Sequence, residues 1–244
     1  MSLPWRELLL LAILLAATLA AYEPAWRGGV LWDDAGHITR VDLRPIDGLR
    51  RIWVDLAATQ QYYPLVHSTF WLLYRVCGDD TLGYHLVSIG LHALAAFLVA
   101  VILRRLKVPW PWLAALIFAL HPVHVESVAW ITELKNTQSG VLFLASALAY
   151  LHFDESRRKS TYGLAAGLFV MALLSKTVTA TLPVLLLVVF WWRRGQVNLR
   201  RDVLPMTPLI VVGVAFGALT GWTERALIGA SGTEFQLTFI ERCR

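Results

Sequence analysis

Apolar runs broken at intervals by short clusters of Arg and Lys constrain this chain more than any other feature. Seven such runs can be marked, at roughly 7–21, 84–103, 110–120, 138–153, 162–174, 182–192 and 203–222. A helix crossing a bilayer needs about 20 mostly apolar residues, because no water in the hydrocarbon satisfies its backbone. The third, fifth and sixth runs reach that length only by extending into their flanks or by local thinning of the bilayer. The composition agrees: 57% of the residues are hydrophobic and 16% charged, against about 25% charged in soluble domains. The expected fold class is all-α, a polytopic membrane helix bundle of about seven spans with a large outer first loop carrying interfacial helices.

The formal charge of +5 could suggest nucleic acid. The basic residues, however, sit in short connections: Arg104-Arg105-Leu106-Lys107, Arg157-Arg158-Lys159, Arg193-Arg194 and Arg200-Arg201. Basic residues in short loops stay cytoplasmic, so orientation in the bilayer explains them, as topology signals and nothing more. No Gly-rich phosphate loop, zinc knuckle or aromatic RNA-binding box interrupts the apolar pattern, and no nucleic-acid partner is expected. The N-terminus is then cytoplasmic, and the loops after runs one, three, five and seven face the other side. Trp110, Trp112, Trp191, Trp192 and Trp222 fall at span ends, where amphipathic rings favour the interface. A cleaved signal peptide ending near Thr18-Leu19-Ala20 is the alternative for the first run, and it sends the first loop to the same side. Cys77 and Cys243 are the only cysteines and make no disulfide framework.

The first outer loop, about 22–83, is too long for a bare connector and too aromatic for disorder. Pro64 to Arg75 reads as a helix starting at a proline and lying in the interface, and a second short helix is expected near 48–58. Within Gly29-Val30-Leu31-Trp32-Asp33-Asp34-Ala35-Gly36 stand two adjacent carboxylates. Adjacent acids repel and cost solvation energy at a membrane edge. The bland reading is a solvated helix cap; the functional one is catalysis.

The second outer loop is His121-Pro122-Val123-His124-Val125-Glu126-Ser127, continuing to Asn136. Pro122 should end the third run and start a new helix. On that helix Glu126 and Glu133, seven residues apart, would share a face. His121 and His124 are read as backbone-bonding or substrate-contacting groups. With Glu126 they match neither the His-Glu-x-x-His nor the zinc-finger spacing, so no metal site is assigned; the sequence establishes no cofactor and leaves the need for a divalent cation open. Lys135, Lys176 and Arg225 fall on the same expected side. Snorkelling to headgroups is the bland reading; several cations neutralising one phosphate is the functional one.

Leu31-Trp32-Asp33-Asp34, Tyr63-Pro64-Leu65, the segment from His121 to Trp130 and Leu174-Ser175-Lys176 together resemble a multi-spanning glycosyltransferase. The family is that of the transmembrane-and-tetratricopeptide-repeat O-mannosyltransferases and their bacterial relatives, within the C-type, lipid-sugar-dependent superfamily. The resemblance implies an acidic catalytic motif, carried here by Asp33 and Asp34, and a polyprenyl-phosphate sugar donor. His121, His124, Glu126, Glu133, Lys135, Lys176 and Arg225 would bind donor phosphate or substrate. It implies a hexose such as mannose moved to an acceptor hydroxyl, on protein Ser/Thr or a glycan, at the periplasmic face of a bacterial inner membrane. The chain departs from the family at Leu134, where relatives often carry a basic residue. Relatives also continue through further spans into tetratricopeptide repeats, so residues 1–244 are expected to be the N-terminal part of such a membrane domain. The alternative function is a non-catalytic scaffold or assembly subunit. A transporter fits poorly, because no acid or base lies deep within a run.

Overall fold

A computed structural model describes residues 5–38 and 40–228. The described residues form α-helices with short 3-10 and π turns and no strand. In chain order these are α1 (Trp5–Ala21), α2 (Asp34–Ile38), α3 (Ile46–Val54), α4 (Pro64–Cys77), α5 (Thr81–Arg105) and α6 (Pro111–Leu120). They continue with α7 (Val125–Ala129), α8 (Leu134–Ser156), α9 (Lys159–Leu173), α10 (Leu182–Arg194) and α11 (Leu204–Thr223). Prolines set several starts. Pro64, Pro111, Pro183 and Pro205 occupy the first or second helical position, where the missing N–H would have had no partner.

The expected seven spans are not what the helices provide. Three are long and apolar enough to cross a membrane: Thr81–Arg105, Thr177–Arg194 and Leu199–Leu227. A fourth is obtained if Pro111–Leu120 and Pro122–Ala129, bent by 50° at their break, count as one. The other runs fail for identifiable reasons. Helix α1 has 17 residues and α9 has 15, both short of the hydrocarbon thickness at 1.5 Å per residue. Helix α8 has 23, but Lys135, Asn136, Gln138 and Ser139 make its first turns polar and Asp154-Glu155 its last.

Two packing styles hold the bundle. Where α1, α5 and α6 meet, the buried residues are Leu14, Ala96, Ala100, Ala115 and Ala119, small side chains that let helix backbones approach closely. Among α8, α9, α10 and α11 the contact is bulky, with Tyr150, Phe153, Phe169 and Phe190 buried together. The first loop is folded, as its aromatic content suggested. Helix α4 buries Val66, Phe70 and Leu73 against Tyr84 of α5 and Ile131 and Leu134 of the second loop. The Leu65 N–H donates to the Leu174 carbonyl at 3.2 Å, fastening this cap to the end of α9. Helix α3 packs through Ile52 and Gly48, and a side chain at Gly48 would collide with the Leu43 carbonyl, 2.1 Å from the position of a β-carbon. Trp53 Nε1 donates to Ser68 Oγ at 2.9 Å, and Trp71 Nε1 to the Pro45 carbonyl at 3.2 Å. The cap is therefore cross-braced to α4.

The basic connections do more than the sequence suggested. Asp154 and Asp202 are 4% and 1% exposed, and the arginines close on them. Arg194 bonds both, reaching Asp202 at 2.6 Å, while Arg157 meets Asp154 at 2.5 Å and Arg201 approaches it to 3.6 Å. Arg157 also donates to the Arg201 carbonyl. These arginines are structural ties between α8, α10 and the π turn Leu199–Val203, a correction to their reading as topology signals alone. Of the expected interfacial tryptophans, Trp110, Trp191, Trp192 and Trp222 are exposed, whereas Trp112 donates to Glu7 at 3.0 Å. Cys77 is a free thiol; Cys243 lies outside the described residues.

Candidate active site

The two adjacent aspartates face different surroundings. Trp32, held in the left-handed region at φ 44°, turns the chain just before them. Asp34 begins α2 and is fully buried. Its Oδ2 accepts the Leu31 N–H at 2.8 Å. Its Oδ1 accepts both the N–H and the hydroxyl of Thr132, at 2.8 and 2.5 Å. Three hydrogen bonds saturate this carboxylate and pin the first loop to the second. Asp34 thereby ties the two outer loops together.

Asp33 points elsewhere. It lines a cavity of about 660 Å³ with His37, Arg40, Thr59, Gln61 and Lys135. Its Oδ1 is buried and has no hydrogen-bond partner among the described residues. His37, one helical turn on, lies with Nδ1 3.0 Å from the Asp33 carbonyl and stacks on His67 at 5.3 Å between ring centres. Burial pushes the His67 imidazole down to about 3, with neighbouring His37 and Arg40 adding to the shift. The unfolded chain then takes up a proton below pH ~6.5 that the folded chain refuses. Stability is lost as pH falls from there toward 3. In His67→Gln that part of the acid sensitivity should disappear, so the gap in unfolding midpoint between wild type and variant narrows at low pH.

Lys135, which lines the cavity, belongs to a charge cluster. Lys135 pairs with Glu133 at 2.9 Å, and Lys176 approaches the same carboxylate to 3.8 Å. Asn136 joins them: its amide donates to Glu133 and to Ser127, and its carbonyl accepts from Lys176. Two ammonium groups share one carboxylate in a half-buried position, which leaves a net positive charge. Burial lowers the Lys176 pKa from its ordinary 10.5, with Lys135 acting in the same sense and Glu133 opposing. Tyr63 adjoins Thr177 and Glu133, and burial raises its hydroxyl above the usual range, leaving it a hydrogen-bond donor.

The remaining sequence candidates are not gathered at this cavity. Pro122 breaks the chain as expected, but into a 3-10 turn, and α7 ends at Ala129. Extended backbone at Trp130, a 3-10 turn over Ile131–Glu133 and then α8 follow. Glu126 and Glu133 therefore do not share a helix face. Glu126 lines an apolar groove with Leu31, Trp32 and Trp130. His121 turns its Nδ1 back to the Val123 N–H at 3.2 Å. His124 packs on Phe118 and His92, at 4.5 and 5.1 Å between ring centres. Arg225 is exposed on the π turn Glu224–Ile228. Among the described residues no group of three or more His, Cys, Asp or Glu is placed to hold a metal ion. Sequence reasoning passed over His37, Arg40, Gln61 and Asn136. The spacing of His37 four residues after Asp33 was the one available signal, since such pairs share a helical face.

Comparison with known proteins finds relatives of this chain. Protein O-mannosyl-transferase Tmtc1 of Drosophila melanogaster is 30% identical over 194 residues, covering 74% of this chain and 22% of that protein. Protein O-mannosyl-transferase tmtc2 of Xenopus laevis is 35% identical over 100 residues, 40% of this chain and 12% of the relative. The Homo sapiens protein TMTC2 is 34% identical over 154 residues, 58% and 18%. The chain is related to the TMTC family of protein O-mannosyl-transferases. No family model and no solved structure matches it. This TMTC relative spans about a fifth of the length of the curated proteins it matches.

Proposed function

We propose that this chain carries the acidic site of a membrane glycosyltransferase. It moves a hexose such as mannose from a polyprenyl-phosphate donor to an acceptor hydroxyl, on protein Ser/Thr or a glycan, at the non-cytoplasmic face. The observation that carries the reading is the contrast within one motif. Asp34 is fully buried and held by three hydrogen bonds, while Asp33 lines a cavity together with Lys135 and its Oδ1 has no hydrogen-bond partner among the described residues. The names of the relatives supply the reaction class.

In this reading the acceptor hydroxyl enters the cavity and attacks the sugar C1, while Asp33 takes its proton. The bond between C1 and the phosphate oxygen breaks, and the lipid phosphate leaves with the electron pair. Lys135 and Lys176 stabilise that charge in a partly desolvated place, where fixed cations act more strongly than in water. Glu133 and Asn136 hold both ammonium groups and keep them from folding outward. Direct displacement inverts the configuration at C1.

Membranes bearing the chain should transfer labelled mannose to an acceptor peptide from a polyprenyl-phosphate donor and not from a nucleotide sugar. Equal transfer from the nucleotide sugar, or none from the lipid donor, would reject the donor class. A pH profile tests the phosphate role. Lys176 must be protonated to hold an anion, so kcat/KM should fall on the alkaline side below pH 10.5, the ordinary lysine value from which burial lowers it. Lys176→Arg should move that limb upward, because guanidinium stays charged.

A further inference from the structure

Seven basic residues, Arg157, Arg158, Lys159, Arg193, Arg194, Arg200 and Arg201, stand at or beside the end of the bundle where α8, α10 and the π turn Leu199–Val203 meet. The arginines that clamp Asp154 and Asp202 use up the buried acids there, and Glu155 is taken by Arg105 at 2.6 Å. Arg158, Lys159, Arg193 and Arg200 are left over. All four are exposed and none forms an ion pair among the described residues. The clamp fixes their proximity. Arg158 and Lys159 follow Arg157, Arg193 precedes Arg194 and Arg200 precedes Arg201, and the three clamping arginines converge on one buried pair of aspartates.

Two further features set the chemistry of what this corner meets. Arg158 is the N-cap of the 15-residue helix α9, and no side chain caps that terminus, so its first amides and the helix dipole favour negative charge there. Around the cations stand exposed apolar side chains: Trp191 at 59%, Trp192 at 60% and Leu199 at 65% exposure. A free anion in water has no use for that apolar surround. A phospholipid presents both parts, with a phosphate at the level of the cations and acyl chains along the tryptophans.

We infer that Arg158, Lys159, Arg193 and Arg200 form a headgroup site for an anionic phospholipid, built on the Asp154–Arg194–Asp202 clamp. The site lies apart from the Asp33 cavity and does not depend on the function proposed for it. The chain in neutral detergent should retain phosphatidylglycerol over phosphatidylcholine in native mass spectrometry. Each cation near a headgroup contributes roughly fivefold in affinity. Arg158→Gln, Lys159→Gln, Arg193→Gln and Arg200→Gln together should therefore abolish the preference. Removing Arg27 and Arg50, exposed cations elsewhere, should leave it intact. The four side chains are solvent-facing, so the unfolding midpoint in detergent without added lipid should match wild type; Arg193→Gln alone, with a partial loss, serves if the combined variant does not fold. Equal retention of the two lipids by wild type, an unchanged preference in the variants, or displacement by soluble glycerol phosphate at lipid-like concentration would each overturn the inference.

Discussion

Asp33→Asn is expected to lower sugar transfer by about 10²- to 10⁴-fold, the range associated with a positioned general base, and to leave folding almost untouched. The basis is local. Asp33 is half-buried beside the cavity, and its Oδ1 accepts no hydrogen bond among the described residues, so an amide oxygen at that position breaks none. Asp34→Asn should show the opposite pattern. Its two oxygens accept three bonds at 2.5–2.8 Å with no exposure to solvent. An asparagine presents an NH₂ where one of those acceptors stood and sets donor against donor. Leaving such a group unsatisfied costs about 1–3 kcal/mol, and the junction between the two outer loops loosens with it. Transfer assayed beside thermal unfolding in detergent separates the two cases. Activity retained in Asp33→Asn, or lost there only in step with stability, would exclude Asp33 as the base.

The second large effect belongs to the far end of the bundle. Arg194→Ala should destabilise the chain by about 3–5 kcal/mol, the scale for stripping a partner from a buried charge. Two buried carboxylates lose their shared guanidinium at once. Asp154 keeps Arg157 at 2.5 Å, whereas Asp202 keeps only the Asn198 N–H at 2.9 Å. Arg194→Lys should fall between, because an ammonium cannot present two parallel donors to two acids. Neighbouring Arg193→Gln, exposed and unpaired, should change stability by no more than about 0.5 kcal/mol. Unfolding midpoints of the three variants in one detergent check the order, and an Arg194→Ala protein as stable as Arg193→Gln would show the clamp to be dispensable.

Much of the helical frame was legible because it follows from local chemistry. Pro64 announced α4, Pro122 ended α6, and the first loop carried too many aromatic rings to be loose chain. The span count was not legible. An apolar run says which residues avoid water, but not whether their helix continues straight. The 15-residue length of α9 and the 50° bend after α6 depend on what packs beside them. The candidate site divides in the same way. The sequence marked Asp33, Asp34, Lys135 and Lys176, and the family relation. It could not tell one aspartate from its neighbour, since their residue type and local context are the same.

What the sequence by itself determined is thus the helical character, the start of α4 at Pro64, the basic connections and the adjacency of the two aspartates. These rest on hydropathy, on backbone chemistry and on residues adjacent in the chain. Only the tertiary structure decided that Thr132, 98 residues away, takes Asp34 out of reach. It alone placed Asn136 between Glu133 and Lys176, and turned the basic connections into a clamp on two buried acids. A hydrogen bond or ion pair is made by atoms a few ångströms apart, and for distant segments that closeness is set by how the helices pack.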